Sequence, residues 1–172
     1  MSAKPINSIL FVCLGNICRS PLAEGVFRAV LAERGKDQRM VIDSAGTGGW
    51  HSGEHPDRRS IAVAAEHGVD ISGQRARKVL PEDFTRFDLI LGMDRANVRD
   101  LKALAPPDAR DRVHRYLDFA SGNAGDVPDP YYDDQQAFAF VYRMIREASE
   151  ALAKRLEASA SALASGQASS TI

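Results

Sequence analysis

The stretch from Ser8 to Pro21, SILFVCLGNICRSP, constrains the fold more than any other part of the chain. Ser8 to Val12 is a short, apolar, partly β-branched run, the pattern of a strand buried in a parallel sheet. It runs directly into a turn containing Gly15. Ser20 and Pro21 then read as a helix start, with Ser at the N-cap and Pro at the first helical position. Leu22, Val26, Ala29 and Val30 carry a helical period to Gly35, a fitting C-terminal stop. Strand, tight turn and helix in that order open a βαβ unit.

The alternation continues along the chain. Met40–Ile42 reads as a second strand, followed by a glycine-rich loop over residues 44–56 and a helix from Asp57 to His67 that ends at Gly68. Phe87–Leu91 reads as a third strand, with a helix from Asp94 to about Leu104 behind it. Pro106 and Pro107 break the chain, and Val113–Leu117 reads as a fourth strand. Residues 121–132 form a loop rich in Gly, Asp and Pro, and Asp133 to about Leu156 is a long amphipathic helix. The expected fold is α/β: one domain over residues 1–157, with a mainly parallel sheet covered by helices on both faces. From Ala158 to Ile172 the chain is small-residue and low in complexity, and is expected to be a disordered tail. No linker divides the 172 residues into two domains.

The first turn also carries chemistry. In a doubly wound sheet, ligands bind beyond the carboxyl ends of the strands. The strand delivers Cys13 to that edge, and the turn aims backbone N–H groups at one point. The following helix adds its positive end, and Arg19 adds a planar, permanently charged donor fork. Each feature favours an oxyanion such as phosphate, and each favours the thiolate form of Cys13. Cys13 is therefore a candidate nucleophile. The competing reading makes Cys13 and Cys18 two buried packing residues, which is common for cysteine. The full string Cys-x5-Arg-Ser-Pro, between a strand and a helix, favours the nucleophile.

Composition closes other routes. A formal net charge of −1 gives no support for a nucleic-acid or anionic-membrane partner. No apolar run approaches the roughly 20 residues of a membrane span. The N-terminal residues lack a small-residue cleavage site after their apolar run, so a signal peptide is a poor reading. Two cysteines make no disulfide scaffold, and a reducing cytoplasm is the default location. No GxxxxGK[ST] loop is present. Zinc lacks a ligand set, since His51 and His55 lie in a loop without partners of matching spacing. No metal or cofactor is expected.

CLGNICRSP resembles the signature of the low-molecular-weight protein tyrosine phosphatases. The similarity extends over roughly residues 7–157, through DSAGT at 43–47, GWHSGEHPDRRS at 49–60, FDLILGMD at 87–94 and PDPYYDD at 128–134. It implies a four-stranded parallel sheet flanked by helices, and hydrolysis of phosphotyrosine and small aryl phosphates through a phosphocysteine intermediate. By the resemblance, Cys13 is the nucleophile, Arg19 grips the phosphate, and Asp129 is the general acid and then the base. Leu14, Gly15, Asn16, Ile17, Cys18 and Ser20 belong to the phosphate-binding turn. Within it Asn16 holds the strained loop shape and the Ser20 hydroxyl stabilises the thiolate, while Ser44 supports the loop from the next strand. Trp50, Tyr131 and Tyr132 wall a cleft in which a phenyl ring stacks. Cys18 corresponds to a cysteine that forms a reversible disulfide with Cys13 under oxidant. A phosphotyrosine protein, such as a bacterial tyrosine kinase, is the implied partner, and a monomer is the default state.

From the residues alone, Asp129 is less distinctive. Asp-Pro is ordinarily a turn, and Asp126, Asp133 and Asp134 share its loop. A thiolate cannot supply a proton, however, so a separate acid is required. One position departs from the family. Gln74 falls where many bacterial members carry a histidine bonded to the loop asparagine; glutamine donates and accepts but does not become charged. Three other functions fit the sequence less well. Thiol-dependent arsenate reductases need further cysteines downstream, and none follows Cys18. Protein-arginine phosphatases typically carry threonine where this chain has Ile17. A phosphoprotein-binding module would not need Cys13, Arg19 and Asp129 all intact.

Overall fold

The computed structural model describes residues 4–36 and 39–168. Four strands form one parallel sheet: β1 (Ser8–Cys13), β2 (Val41–Gly46), β3 (Leu89–Gly92) and β4 (Val113–Arg115), in the order β2-β1-β3-β4. The chain winds to one side of β1 through α1 (Arg19–Glu33), then crosses to the other side for β3. The direction of winding therefore reverses at β1, and a ligand crevice opens beyond its carboxyl end. That end is Cys13.

Alternation along β1 splits the core into two layers. Ile9, Phe11 and Cys13 face a cluster built from α1, α2 (Arg58–Glu66), α5 (Tyr116–Ser121) and α6 (Gln135–Ala168). Leu10 and Val12 face a smaller cluster that includes Phe84 of α3 (Asp83–Arg86) and Leu101 of α4 (Arg95–Leu104). Phe11 anchors the larger layer, edge-on to Phe27 at 5.8 Å and to Tyr116 at 5.2 Å between ring centroids. Both faces are thus covered, and all six residues of β1 are buried.

Besides small shifts at the ends of β3 and the start of α6, the local elements differ from expectation at five points. α1 begins at Arg19 with Cys18 as its N-cap, so Ser20 and Pro21 lie inside the first turn rather than at its edge. The Ser20 hydroxyl is engaged with Cys13 instead of capping the helix. Gly35 does close α1 in the left-handed region, at φ 69°. The expected strand at Val113–Leu117 stops at Arg115, and Tyr116 starts α5 with no intervening loop. That places the Tyr116 ring in the core, with its hydroxyl 2.6 Å from Ser149 Oγ. The short α3 was absent from the sequence reading, and β2 runs to Gly46 rather than stopping at Ile42.

The fifth difference is the tail. α6 continues to Ala168, through most of the segment expected to be disordered. Alanines at 158, 160, 162 and 164 are strong helix formers and no proline interrupts them, so propensity extends a helix that packing began. Residues 169–172 lie outside the described residues. No helix among the described residues is long and apolar enough to cross a membrane.

Candidate active site

The turn between β1 and α1 is held from outside by its carbonyl groups. Cys13 O accepts from Thr47 N at 2.9 Å, Leu14 O from Gly48 N at 2.9 Å, and Ile17 O from Asp57 N at 2.7 Å. Cys18 O accepts from Ser60 Oγ at 3.3 Å. With its carbonyls turned outward, the loop directs its peptide N–H groups inward, over Cys13. α1 adds the unsatisfied N–H groups of its first turn, because Cys18 makes no side-chain capping bond. The loop is shaped for an anion of several oxygens.

Cys13 lies at the floor, 3% exposed. Its sulfur accepts from Asn16 N at 3.3 Å and lies 3.1 Å from Ser20 Oγ. Asn16 is the one non-glycine with positive φ among the described residues, at 57°. Its side chain holds that conformation. Nδ2 donates to Ser20 Oγ at 2.8 Å and to Ser44 Oγ at 3.0 Å, while Oδ1 accepts from Arg77 N at 3.0 Å. Asn16 and Ser20 are both buried behind the loop, so they shape it from the rear. Leu14, Gly15, Ile17 and Cys18 line the cleft itself.

Arg19 is buried to 2% exposure and fixed on two sides. Its Nη1 donates to Asp94 Oδ2 at 2.7 Å and to the Val127 carbonyl at 2.9 Å. Its Nη2 stands 3.7 Å from Asp129 Oδ2. Burial works against its charge, but the Cys13 sulfur and the Asp94 carboxylate raise the guanidinium above its usual range. Cys13 and Cys18 are both free thiols. Burial, and after it the Asp57 carboxylate, pushes the Cys18 thiol up, so it is a neutral wall of the cleft near pH 7.

Asp129 reaches the site through a loop tied to the same sheet edge. Val127 N donates to the carbonyl of Met93, just past β3, at 2.8 Å. Arg59 of α2 donates to the carbonyls of Tyr131 and Asp133, each at 2.9 Å. Asp129 Oδ1 accepts from Tyr131 N at 3.1 Å, which leaves Oδ2 facing Arg19. Trp50, Tyr131 and Tyr132 wall a cleft of about 230 Å³ above Cys13. Trp50 is 73% exposed and Tyr132 93%. The Trp50 ring lies so close over Gly48 that a Cβ there would sit 1.8 Å from a ring carbon.

Gln74 does not support Asn16. Its Nε2 donates to the Pro21 carbonyl at 3.1 Å, bracing the first turn of α1, and the Arg77 amide takes the Asn16 oxygen. Ser44 of β2 and the Arg77 backbone thus support Asn16 in place of the residue at position 74. Four contributors were missed by the sequence reading: Asp94, which anchors Arg19; Arg77, whose backbone holds Asn16; Glu24, which accepts from Ser44 Oγ at 2.8 Å; and His51, in the cleft wall. Only Asp94 left a signal, as an acidic residue just past the carboxyl end of a strand. Among the described residues no three His, Cys, Asp or Glu side chains converge as a metal site.

Comparison with known proteins agrees with this geometry. Residues 8–162 match the family model for low molecular weight phosphotyrosine protein phosphatase. The low molecular weight protein-tyrosine-phosphatase of Streptomyces coelicolor is 44% identical over 148 residues, covering 84% of this chain and 90% of that protein. A crystal structure of a protein tyrosine phosphatase from Entamoeba histolytica superposes with a TM-score of 0.84 at 35% identity, covering 88% of this chain and 97% of the other. The crystal structure of YfkJ from Bacillus subtilis gives 0.83 at 36% identity, covering 92% and 99%. A turn shaped for an anion around a buried thiol, with a fixed arginine and a facing aspartate, thus stands on a scaffold shared nearly end to end with these proteins, and the chain belongs to the low molecular weight phosphotyrosine protein phosphatase family.

Proposed function

We propose that the chain hydrolyses phosphotyrosine in proteins, with Cys13 as nucleophile, Arg19 as phosphate clamp and Asp129 as general acid and base. The observation that carries this reading is the facing pair above the thiol: Arg19 Nη2 and Asp129 Oδ2, 3.7 Å apart over the cleft floor formed by Cys13. A phosphoryl group seated in the turn places its oxygens against the loop N–H groups and the guanidinium. The Cys13 sulfur attacks phosphorus from below as the ester oxygen leaves on the opposite side. Asp129, half-exposed at the rim, gives that oxygen a proton. In the second step Asp129 takes a proton from the water that attacks the phosphocysteine, and phosphate departs with Cys13 restored.

The aromatic wall supports phosphotyrosine over phosphoserine. A phenyl ring reaches from Trp50 and Tyr131 down to Cys13, whereas a shorter side chain leaves its phosphate short of the sulfur. Ile17 in the cleft wall keeps the phosphotyrosine reading ahead of an arginine phosphatase. Two free thiols fit a reducing cytoplasm.

The direct test is turnover of a chromogenic aryl phosphate by the purified chain. Turnover persists in a chelator, is blocked by vanadate and is lost in Cys13→Ser. Asp129→Asn lowers kcat by roughly 10²–10⁴-fold while phosphate still competes for the site. A requirement for a divalent metal, or full activity in Cys13→Ser, would overturn the reading.

A further inference from the structure

Glu24 is buried to 7% exposure in the second turn of α1, and no step above uses it. It ends a chain of hydrogen bonds that starts at the nucleophile. Ser20 Oγ lies 3.1 Å from Cys13 Sγ, Asn16 Nδ2 donates to Ser20 Oγ at 2.8 Å and to Ser44 Oγ at 3.0 Å, and Ser44 Oγ donates to Glu24 Oε1 at 2.8 Å. A serine hydroxyl carries one proton and a carboxylate only accepts. Ser44 must therefore give its proton to Glu24 and meet Asn16 as an acceptor. Asn16 then presents one N–H to each serine. Ser20, already accepting, keeps its own proton for the Cys13 sulfur, a shorter contact than the 3.4 Å to the Ala45 carbonyl. Among the described residues the Ser44 hydroxyl has no other acceptor.

We propose that Glu24 is a positioning residue of the phosphate loop: its carboxylate, acting through Ser44, holds Asn16 in its left-handed conformation and keeps the Ser20 hydroxyl aimed at Cys13. The inference rests on the phosphatase reading for its kinetic arm only.

The electrostatics support a retained functional charge. The charged groups facing Glu24 are Arg28 on its own helix, with Nε at 3.3 Å, and Asp43 on β2, which is itself paired with Arg77 at 3.0 Å. Burial raises Glu24 above the usual carboxylate range, and Asp43 adds to this; Ser44 and Arg28 oppose it. A raised folded-state value means the proton stabilises the fold below the ordinary carboxylate range. That contribution disappears as pH rises through the raised value. When ionised, Glu24 is a buried charge that a neutral side chain of the same shape would avoid. A residue kept only for packing has no reason to carry it.

The experiment compares the full chain with Glu24→Gln, Ser44→Ala and the double variant. Three readouts are followed from pH 4 to 8: aryl-phosphate kcat, the rate of Cys13 alkylation by iodoacetamide, and the melting temperature. An amide at position 24 offers a donor or an acceptor and so no longer forces the Ser44 proton outward. Expected for Glu24→Gln is a kcat about tenfold lower at pH 7, of the size seen for coupling within one hydrogen-bond network. The loss shrinks toward acid pH, where Glu24 of the parent is itself protonated, and Cys13 alkylation near pH 6 slows several-fold. Ser44→Ala gives a similar loss, and the double variant loses nothing more. Glu24→Gln melts at the parent's temperature or above it at pH 7, with a difference that widens as pH rises.

Unchanged kcat and alkylation in Glu24→Gln would overturn the proposal. So would a full second loss in the double variant, or a melting temperature well below the parent's. If the parent shows no aryl-phosphate turnover, the phosphatase reading fails, while alkylation and additivity still decide the role of Glu24. Should Glu24→Gln not fold, unchanged alkylation in Ser44→Ala refutes the chain by itself.

Discussion

At the scale of single residues, the site is built from side chains that serve two partners at once. Asp94 is the clearest case. Its Oδ1 accepts from Asn97 N at 2.8 Å and caps α4, within a capping box, while its Oδ2 holds Arg19 at 2.7 Å. The cap fixes the carboxylate, and the carboxylate fixes the guanidinium before any phosphate arrives. Binding then needs no ordering of a long, flexible side chain. Asp94→Ala removes both contacts. The lost cap costs about 1 kcal/mol of stability. The freed guanidinium keeps one carbonyl partner at Val127, so the phosphate clamp loosens. We expect kcat/KM for an aryl phosphate to fall by roughly 10²-fold, as for the loss of one preorganised donor. Thermal unfolding and steady-state kinetics check the two halves separately. A kinetic loss no larger than the stability loss explains would show that Arg19 is held without Asp94.

At the scale of elements, the phosphate loop is supported by β2 as much as by its own sequence. Gly46 ends β2 directly behind the loop, where an added Cβ would meet Leu14 O at 2.7 Å and Gly48 O at 2.9 Å. Both are backbone atoms and cannot swing aside. Gly46→Ala therefore moves the loop, lowering phosphate affinity and turnover together and costing about 1–3 kcal/mol of stability. Competition by inorganic phosphate and a melting curve measure both. Unaltered phosphate affinity would show that β2 does not set the loop's shape. The same element explains what could be read from the sequence. SILFVCLGNICRSP declares strand, turn and helix through local pattern, and Cys13 and Arg19 share a single turn. Asp129 was singled out by the family resemblance of its Asp-Pro-Tyr-Tyr setting, since three other aspartates share its loop. Glu24 and Arg77 were not, and Asp94 showed only as an acidic residue just past a strand, because their roles exist only once β2 and β3 lie beside β1 and bring their ends to one edge. Local length explains the rest. α3 has four residues and α5 six, too few turns to show a period. Val113–Leu117 is only five residues long, too short to distinguish a strand from the start of a helix.

At the scale of the whole molecule, function and the C-terminal extension lie at opposite ends of the sheet. The site stands at the carboxyl end of β1, whereas the last turns of α6 line a groove with Ile6 and Asn7, which precede its amino end. Six residues of β1 separate the two by roughly 17 Å. α6 has 34 residues and at 1.5 Å each extends about 50 Å, well beyond strands of that length. Its packing accounts for only part of it. Phe138, Val141, Ile145, Leu152 and Ala153 are buried in the main core, and Glu157 pairs with Arg34 at 3.0 Å. Past Glu157, residues 158–162 are exposed and Leu163 is half-buried. Truncation after Glu157 keeps the buried face and the ion pair. It should lower the melting temperature by no more than about 4 °C, the equivalent of roughly 1 kcal/mol in a chain of this size, and leave aryl-phosphate kcat unchanged. Truncation after Ala151 removes Leu152 and Ala153 from the core and should cost about 3–5 kcal/mol, summing one large and one small buried side chain. Parallel melting curves and turnover on the two truncations distinguish these cases. A loss of turnover in the longer one, with its melting temperature intact, would mean that the end of α6 communicates with the site across the sheet.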